Sequence, residues 1–366
     1  MVEAFVRKES HPDLPPPVNT TGPVAWVKEN LFRGPVNTIL TLISLYIIYW
    51  CIAFIADWAV LGATLFGSST ADCTGDGACW AMITTRIRQL IFGFYPPDQI
   101  WRVVLGFAIL FSAIVPILFD VGYRKQALIT LLFMPFIGGW LFYGGLGLEV
   151  VPTSQWGGIM ITLVVSMSGI LLSLPIGIVL ALGRRSHMPI VRVLCVTFIE
   201  IIRGVPLISL LFMGSTMFNL FMPDGVTLDK LLRALLAVVL FASAYMAEVV
   251  RGGLQALPKG QYEGAAAMGL GYWQMTRLIV LPQALKNVIP AIVNTFIGLA
   301  KDTTLVSVIG IFDVLGIVNA ITKDSAWLGT VYEGFAFVAV FFFIFCFGMS
   351  RYSMHLEKKL HTGHKR

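Results

Sequence analysis

A lysine and an aspartate stand side by side at Lys301-Asp302, followed by Thr303 and Thr304, between apolar stretches at 288–300 and 306–318. Ionisable side chains at membrane depth face a cavity or one another, because contact with hydrocarbon is costly. An ammonium and a carboxylate so placed match the two ends of a zwitterion. Lys301 can meet a carboxylate, Asp302 an ammonium, and the two hydroxyls can trim the geometry. The same residues also suit a salt bridge at the outer boundary of a helix bundle, and residue types alone leave both readings open.

Two more charged pairs follow one pattern. Glu200 and Arg203 precede Gly204 and Pro206; Glu248 and Arg251 precede Gly252 and Gly253. The i,i+3 spacing puts carboxylate and guanidinium on one helix face, where each offsets the other's burial cost. These read as structural ion pairs fixing helices, and Gly204 with Pro206 predicts a broken helix whose freed backbone groups line a cavity. Cys73 and Cys79 flank Thr-Gly-Asp-Gly-Ala. A bridge across so short a loop is expected in an oxidising compartment; two free thiols, or a metal pair lacking visible partners, are the other readings. Cys51, Cys195 and Cys346 fall in apolar runs and read as packing residues. The five histidines (His11, His187, His355, His361, His364) lie in tails or a loop, which argues against a histidine-built haem or metal centre in the membrane.

The elements that must position these groups are membrane helices. Hydrophobic residues make up 57% of the chain and charged ones 13%, against about 25% charged in soluble domains; mean hydropathy is +0.81. A bilayer takes ~20 apolar residues as helix, and about eight such runs occur: 36–65, 101–119, 126–143, 157–182, 189–222 (bent at Gly204 and Pro206), 230–250, 284–300 and 331–349. A polar loop is expected over 66–100. Arg124, Lys125, Arg184, Arg185, Arg192, Arg251, Lys259 and Arg277 share one side with both tails, which the positive-inside rule makes cytoplasmic. Arg86 and Arg88 are the exceptions. The formal charge of +6 reflects this loop bias. No basic run interleaved with aromatics points to nucleic acid. Residues 1–34 are polar, carry Pro15-Pro16-Pro17 and lack the apolar core of a signal peptide, so a partly extended cytoplasmic tail is expected.

Between the sixth and seventh runs lies a polar island, 257–282. Pro258, Lys259 and Gly260 punctuate its start, and Glu263 sits in a first turn, where it suits the helix dipole. Gln261 to Met268 can be helical, Gly269 is a natural left-handed terminator, and a second helix is expected from Tyr272 until Pro282 stops it. Small side chains let another surface approach such a helix closely. The island resembles the cytoplasmic signature of membrane subunits of bacterial ABC importers: Glu-Ala-Ala, three residues, Gly, nine residues, then Ile-x-Leu-Pro. Here these are Glu263, Gly264, Ala265 (with Ala266 following), Gly269, Ile279, Leu281 and Pro282. Gly264 in place of the first alanine is the one departure and would loosen the helix. An ordinary interfacial hairpin is the plain alternative.

From Gly157 onward the chain resembles the five-span core of permeases for polar amino acids. The resemblance implies an all-α polytopic fold of about eight transmembrane helices: a type I importer core plus three N-terminal helices. It implies a tail at 1–34, an extension at 35–150 carrying the Cys73/Cys79 loop, a core at 151–350 with the coupling loop 257–282, and a basic cytoplasmic tail at 351–366. The extension is similar to that of general L-amino-acid importers. The family's Tyr and Glu of the sixth span match Tyr245 and Glu248, which on a functional reading face the translocation path; Lys301, Asp302, Thr303 and Thr304 match its Lys-Asp-Ser/Thr stretch near the substrate. No Gly-x-x-x-x-Gly-Lys-Ser/Thr phosphate loop occurs, and no lysine directly follows a glycine, so ATP hydrolysis on that plan belongs to another polypeptide. The implied partners are two ABC ATPase subunits that bind ATP and Mg, a second homologous permease (a heterodimer ahead of a homodimer), a periplasmic amino-acid-binding protein and an L-amino acid. No cofactor is expected in this chain. The implied place is the bacterial inner membrane. An ion-gradient-driven secondary transporter is the rival reading, but no internal repeat supports it. A membrane enzyme lacks convergent acid/base or metal groups, and an ABC permease for another small polar solute stays open.

Overall fold

The computed structural model describes residues 22–119, 122–223 and 227–360; the expectations placed on 1–21 and 361–366 lie outside them. The chain divides into two compact units. In the first (22–64 with 73–79), helix α1 (Pro23–Asn30) precedes α2 (Pro35–Ala56), each starting on a proline whose missing N–H costs nothing in a first turn. α2 continues into a wide π turn, Asp57–Leu61. Residues 73–79 fold back on that end: Ala78 N–H donates to the Trp58 carbonyl (2.7 Å) and Thr64 N–H to the Ala78 carbonyl (2.9 Å). Cys73 and Cys79 are joined by a disulfide, with Cα atoms 5.6 Å apart.

The second unit (65–72 with 80–360) holds the remaining helices: α3 (Ala81–Phe92), α4 (Ile100–Phe119), α5 (Arg124–Tyr143), α6 (Gly158–Arg184), α7 (Pro189–Gly204), α8 (Leu207–Phe212), α9 (Lys230–Gln255), α10 (Lys259–Ala267), α11 (Tyr272–Met275), α12 (Leu281–Asp302), α13 (Val314–Ile321) and α14 (Val331–Leu360). Among the described residues seven helices are long and apolar enough to cross a bilayer, eight if the pair bent by 104° at Gly204–Pro206 counts as one span. The described residues carry no strand, only isolated bridges. The fold is therefore all-α and polytopic.

Four sequence expectations are corrected. Residues 66–100 are not merely a loop, because α3 lies within them, burying Ala81, Met82 and Leu90. On this helix Arg86 pairs with Asp324 at 2.6 Å. Pro282 does not stop a helix. A π turn at Thr276–Val280 precedes it, and α12 starts at Leu281 with the proline in its first turn, where no N–H is missed. Glu263 does not lie in a first turn, because α10 begins at Lys259 and its first turn holds no acidic residue. The fourth concerns an ion pair and follows with the site.

α6 and α9 pack along their length because α6 presents Gly169, Ser173, Gly177 and Ala181, all but Gly169 four residues from the one before, and these residues are buried. A Cβ on Gly177 would lie 2.8 Å from Met246 Cβ and 3.0 Å from the Ala247 nitrogen. Gly253 of α9 meets α12 in the same way, its Cβ position 2.5 Å from the Ala284 carbonyl oxygen. Small side chains that let backbones approach are how helices pack where no hydrophobic drive separates lipid from protein.

At the opposite end α3, α6 and α13 are tied together. Gly158, at φ +65°, sits where a side chain would overlap the Leu90 carbonyl. Its N–H donates to the Phe312 carbonyl at 2.9 Å. Asp313 caps α13 by accepting from Gly316 N–H (2.8 Å), and the Thr162 hydroxyl of α6 accepts from Val314 N–H (3.1 Å). Burial pushes the Asp313 carboxyl up to about 7, against the Gly316 and Leu315 N–H groups, which pull it down. A buried acid raised in the folded state is neutral there while ionised in the unfolded chain, so stability falls as pH rises from about 4 to 7 and is level above that. The thermal midpoint of the purified protein is expected to fall over that range, and Asp313→Asn to abolish the slope; an unchanged slope in the Asn variant rules out this carboxyl as its source.

Candidate functional site

The charged pairs read from spacing are one cluster. Glu248 of α9 accepts from Arg251 (2.7 Å), and Arg184 at the end of α6 reaches it at 2.9 Å. Arg203 at the end of α7 approaches to 3.7 Å. Glu200 pairs with Arg184 at 2.7 Å. The expected Glu200–Arg203 pair does not form: three helix ends converge on Glu248, and the nearest opposite charge across the bundle wins over the neighbour along the helix. Glu248 is the most enclosed member, its side chain 14% exposed. Arg184, read from sequence only as a cytoplasmic-side charge, is its second ligand.

Beside the cluster, near the middle of α9, lies a cavity of about 250 Å³ lined by Phe241, Ala242 and Tyr245 from α9 and by Thr295, Gly298, Leu299 and Asp302 from α12. The α12 set is a single face at i, i+3, i+4 and i+7. The structure thus brings Asp302 and Tyr245 together. It does not bring the others: Lys301 is exposed and outside the cavity lining. Thr303 is buried and donates to the Ala300 carbonyl (2.7 Å), while Thr304 donates to the Lys301 carbonyl (2.9 Å). Both hydroxyls close the last turn of α12 as it tightens into a 3₁₀ helix, Thr303–Ile309. Glu248 belongs to the cluster. The arrangement offers one half-buried carboxylate, one phenol and aromatic faces, which suit an ammonium group carried on a small organic body. A larger cleft of about 540 Å³ between α4, α5, α6 and α9 is almost wholly apolar. Its one acidic liner, Asp229, is engaged in capping α9 and in accepting from the Thr153 hydroxyl at 2.5 Å.

Of the island's punctuation, the turn at Gly269 folds as expected. α10 ends at Gly269, φ +75°, with Gly269 N–H on the Ala266 carbonyl (2.9 Å) and Leu270 N–H on the Ala265 carbonyl (3.2 Å). Glu263, Gly264 and Ala266 are exposed while Ala265 is buried. Ile279 lies in the π turn, its carbonyl accepting from Gln283 (2.8 Å), which also donates to Gln261 of α10 (2.9 Å). Leu281 and Pro282 open α12. Sequence reasoning missed three exposed side chains here, Met268 (80% exposed), Tyr272 and Trp273 (72%). Their alternation with small residues was the available signal. Arg185 fastens α10: its guanidinium donates to Tyr262 Oη (3.0 Å) and the Leu254 carbonyl (3.1 Å).

The chain is similar to known proteins over nearly its whole length. The family model described as "Binding-protein-dependent transport system inner membrane component" matches residues 173–362. The "Inner membrane amino-acid ABC transporter permease protein YhdY" of Escherichia coli (strain K12) is 51% identical over 97% of this chain and 97% of its own. The "Glutamate/glutamine/aspartate/asparagine transport system permease protein BztC" of Rhodobacter capsulatus is 43% identical over 99% of both. The "Probable glutamine ABC transporter permease protein GlnP" of Bacillus subtilis (strain 168) is 34% identical over 55% of this chain and 91% of its own.

Proposed function

Because the chain belongs to the family of binding-protein-dependent transport system inner membrane components, we propose that it carries L-amino acids across a bacterial inner membrane as one membrane subunit of an ATP-driven importer. Its partners are two cytoplasmic ATPase subunits that hold ATP and Mg, a periplasmic amino-acid-binding protein and a second, related permease. Both termini lie in the cytoplasm, with the island on the same side. Residues 35–150 form an extension and 151–350 the type I permease core.

The observation that carries this reading is the exposed α10–α11 hairpin between two membrane helices. Its glycines open it to close approach: a Cβ on Gly260, Gly264 or Gly269 would meet nothing within 4 Å. Met268, Tyr272 and Trp273 give it an apolar face that water alone does not reward. A stiff short helix seated in a groove of the ATPase converts closure of that subunit into a rigid push on α9 and α12. Asp302 and Tyr245 receive the amino acid, the carboxylate meeting its ammonium group. In vesicles containing the assembled importer, Glu263→Lys is expected to reduce binding-protein-stimulated ATP hydrolysis at least about tenfold, since a reversed charge at a docked surface costs several kcal/mol. Undiminished stimulation would remove the coupling role.

A further inference from the structure

We propose that Arg203 is the positioning residue that holds Tyr245 as the wall of the cavity on its α10 side, and that Arg184 and Arg185 link this latch to α10. The proposal deepens the importer reading and rests on it. Tyr245 lines the cavity with Asp302, packs against Phe241 with ring centres 4.7 Å apart and planes tilted by 42°, and carries the Arg203 guanidinium over its ring at 5.4 Å. A cation at that distance from an aromatic face is attracted to it. Arg203 is also the loosest member of the Glu248 cluster. Arg251 engages both carboxylate oxygens at 2.7–3.1 Å and Arg184 approaches to 2.9 Å, whereas Arg203 stands at 3.7 Å. It also sits at the corner where the chain turns by 104° into α8. It is the cation the cluster can release at least cost.

The other end of the chain of contacts reaches the coupling helix. Arg185 lies over the Tyr262 ring of α10 at 5.5 Å and donates to its hydroxyl. Its neighbour Arg184 bonds Glu200 and Glu248. Displacement of α10 therefore pulls the end of α6, alters the charge facing Glu248, and frees or recaptures Arg203. Tyr245 follows, and the cavity opens or closes on that side.

The test is accessibility of the cavity in the assembled importer. Thr295→Cys, in a chain whose Cys51, Cys195 and Cys346 are replaced by Ala, is labelled with a membrane-impermeant maleimide in vesicles of both orientations. Lys259→Cys identifies the α10 face. Labelling of Thr295→Cys from that face is expected to be slow and to rise about tenfold with Arg203→Met, as loss of a cation–ring contact allows. Arg203→Lys keeps the charge but loses the planar stack and gives a smaller rise, so the idea stays testable if the Met variant does not assemble. Adding Arg184→Met to Arg203→Met should add nothing. Unchanged rates in both Arg203 variants, equal rises from both faces, or additive effects of Arg184 each overturn the latch. Failure of the wild-type complex to take up a mixture of radiolabelled L-amino acids with ATP would instead overturn the importer reading, and the labelling rates would still judge Arg203.

Discussion

Glu248→Ala is expected to cost about 3–5 kcal/mol of stability, more than the loss of any one arginine around it. Three guanidinium groups share this carboxylate at 2.7, 2.9 and 3.7 Å. Removing it leaves Arg203 and Arg251 without an ion-pair carboxylate among the described residues and sets three like charges together in a partly enclosed site. Removing Arg251 leaves Glu248 two cations, so Arg251→Met is the milder change. Thermal unfolding of the detergent-purified protein checks the order. A smaller drop for Glu248→Ala than for Arg251→Met would show that Glu248 is not the hub.

The second large effect concerns transport. Asp302→Asn is expected to lower kcat/KM for uptake by roughly 10- to 150-fold, the worth of a charge-assisted hydrogen bond of about 1.5–3 kcal/mol. Lys301→Ala, with its side chain outside the cavity lining, should change uptake by less than roughly threefold on the same scale. Initial rates in vesicles holding matched amounts of assembled importer distinguish the two. Equal losses would restore Lys301 to the site; a wild-type rate for Asp302→Asn would empty it.

Local signals were legible and partner choice was not. Gly269 and the Gly204–Pro206 corner could be read because each is a backbone event that its own residue imposes: a left-handed φ, a missing N–H. Asp302 was legible because a carboxylate between apolar stretches has few places to go. The hydroxyls of Thr303 and Thr304 were misjudged, since nothing in their identity says whether they face a ligand or their own helix. Glu200 was matched to Arg203 along the helix, whereas Arg184, distant in sequence, reached it across the bundle. α3 escaped because its buried residues, Ala81, Met82 and Leu90, are few and widely spaced. The buried row Gly169, Ser173, Gly177 and Ala181 stood in plain view, but its meaning requires knowing that α9 lies opposite.

That row has a consequence for how the molecule can deform. With Gly177 against Met246 and Gly253 against Ala284, the backbones of α6, α9 and α12 have little room to slide past one another, so relative movement falls to helix ends and to side chains such as Arg184. The corner between α7 and α8 has more room, since a Cβ on Gly204 would meet nothing within 4 Å. On the proposed coupling, a push on the hairpin is carried along this seam towards that corner, as a lever passes its load to the pivot.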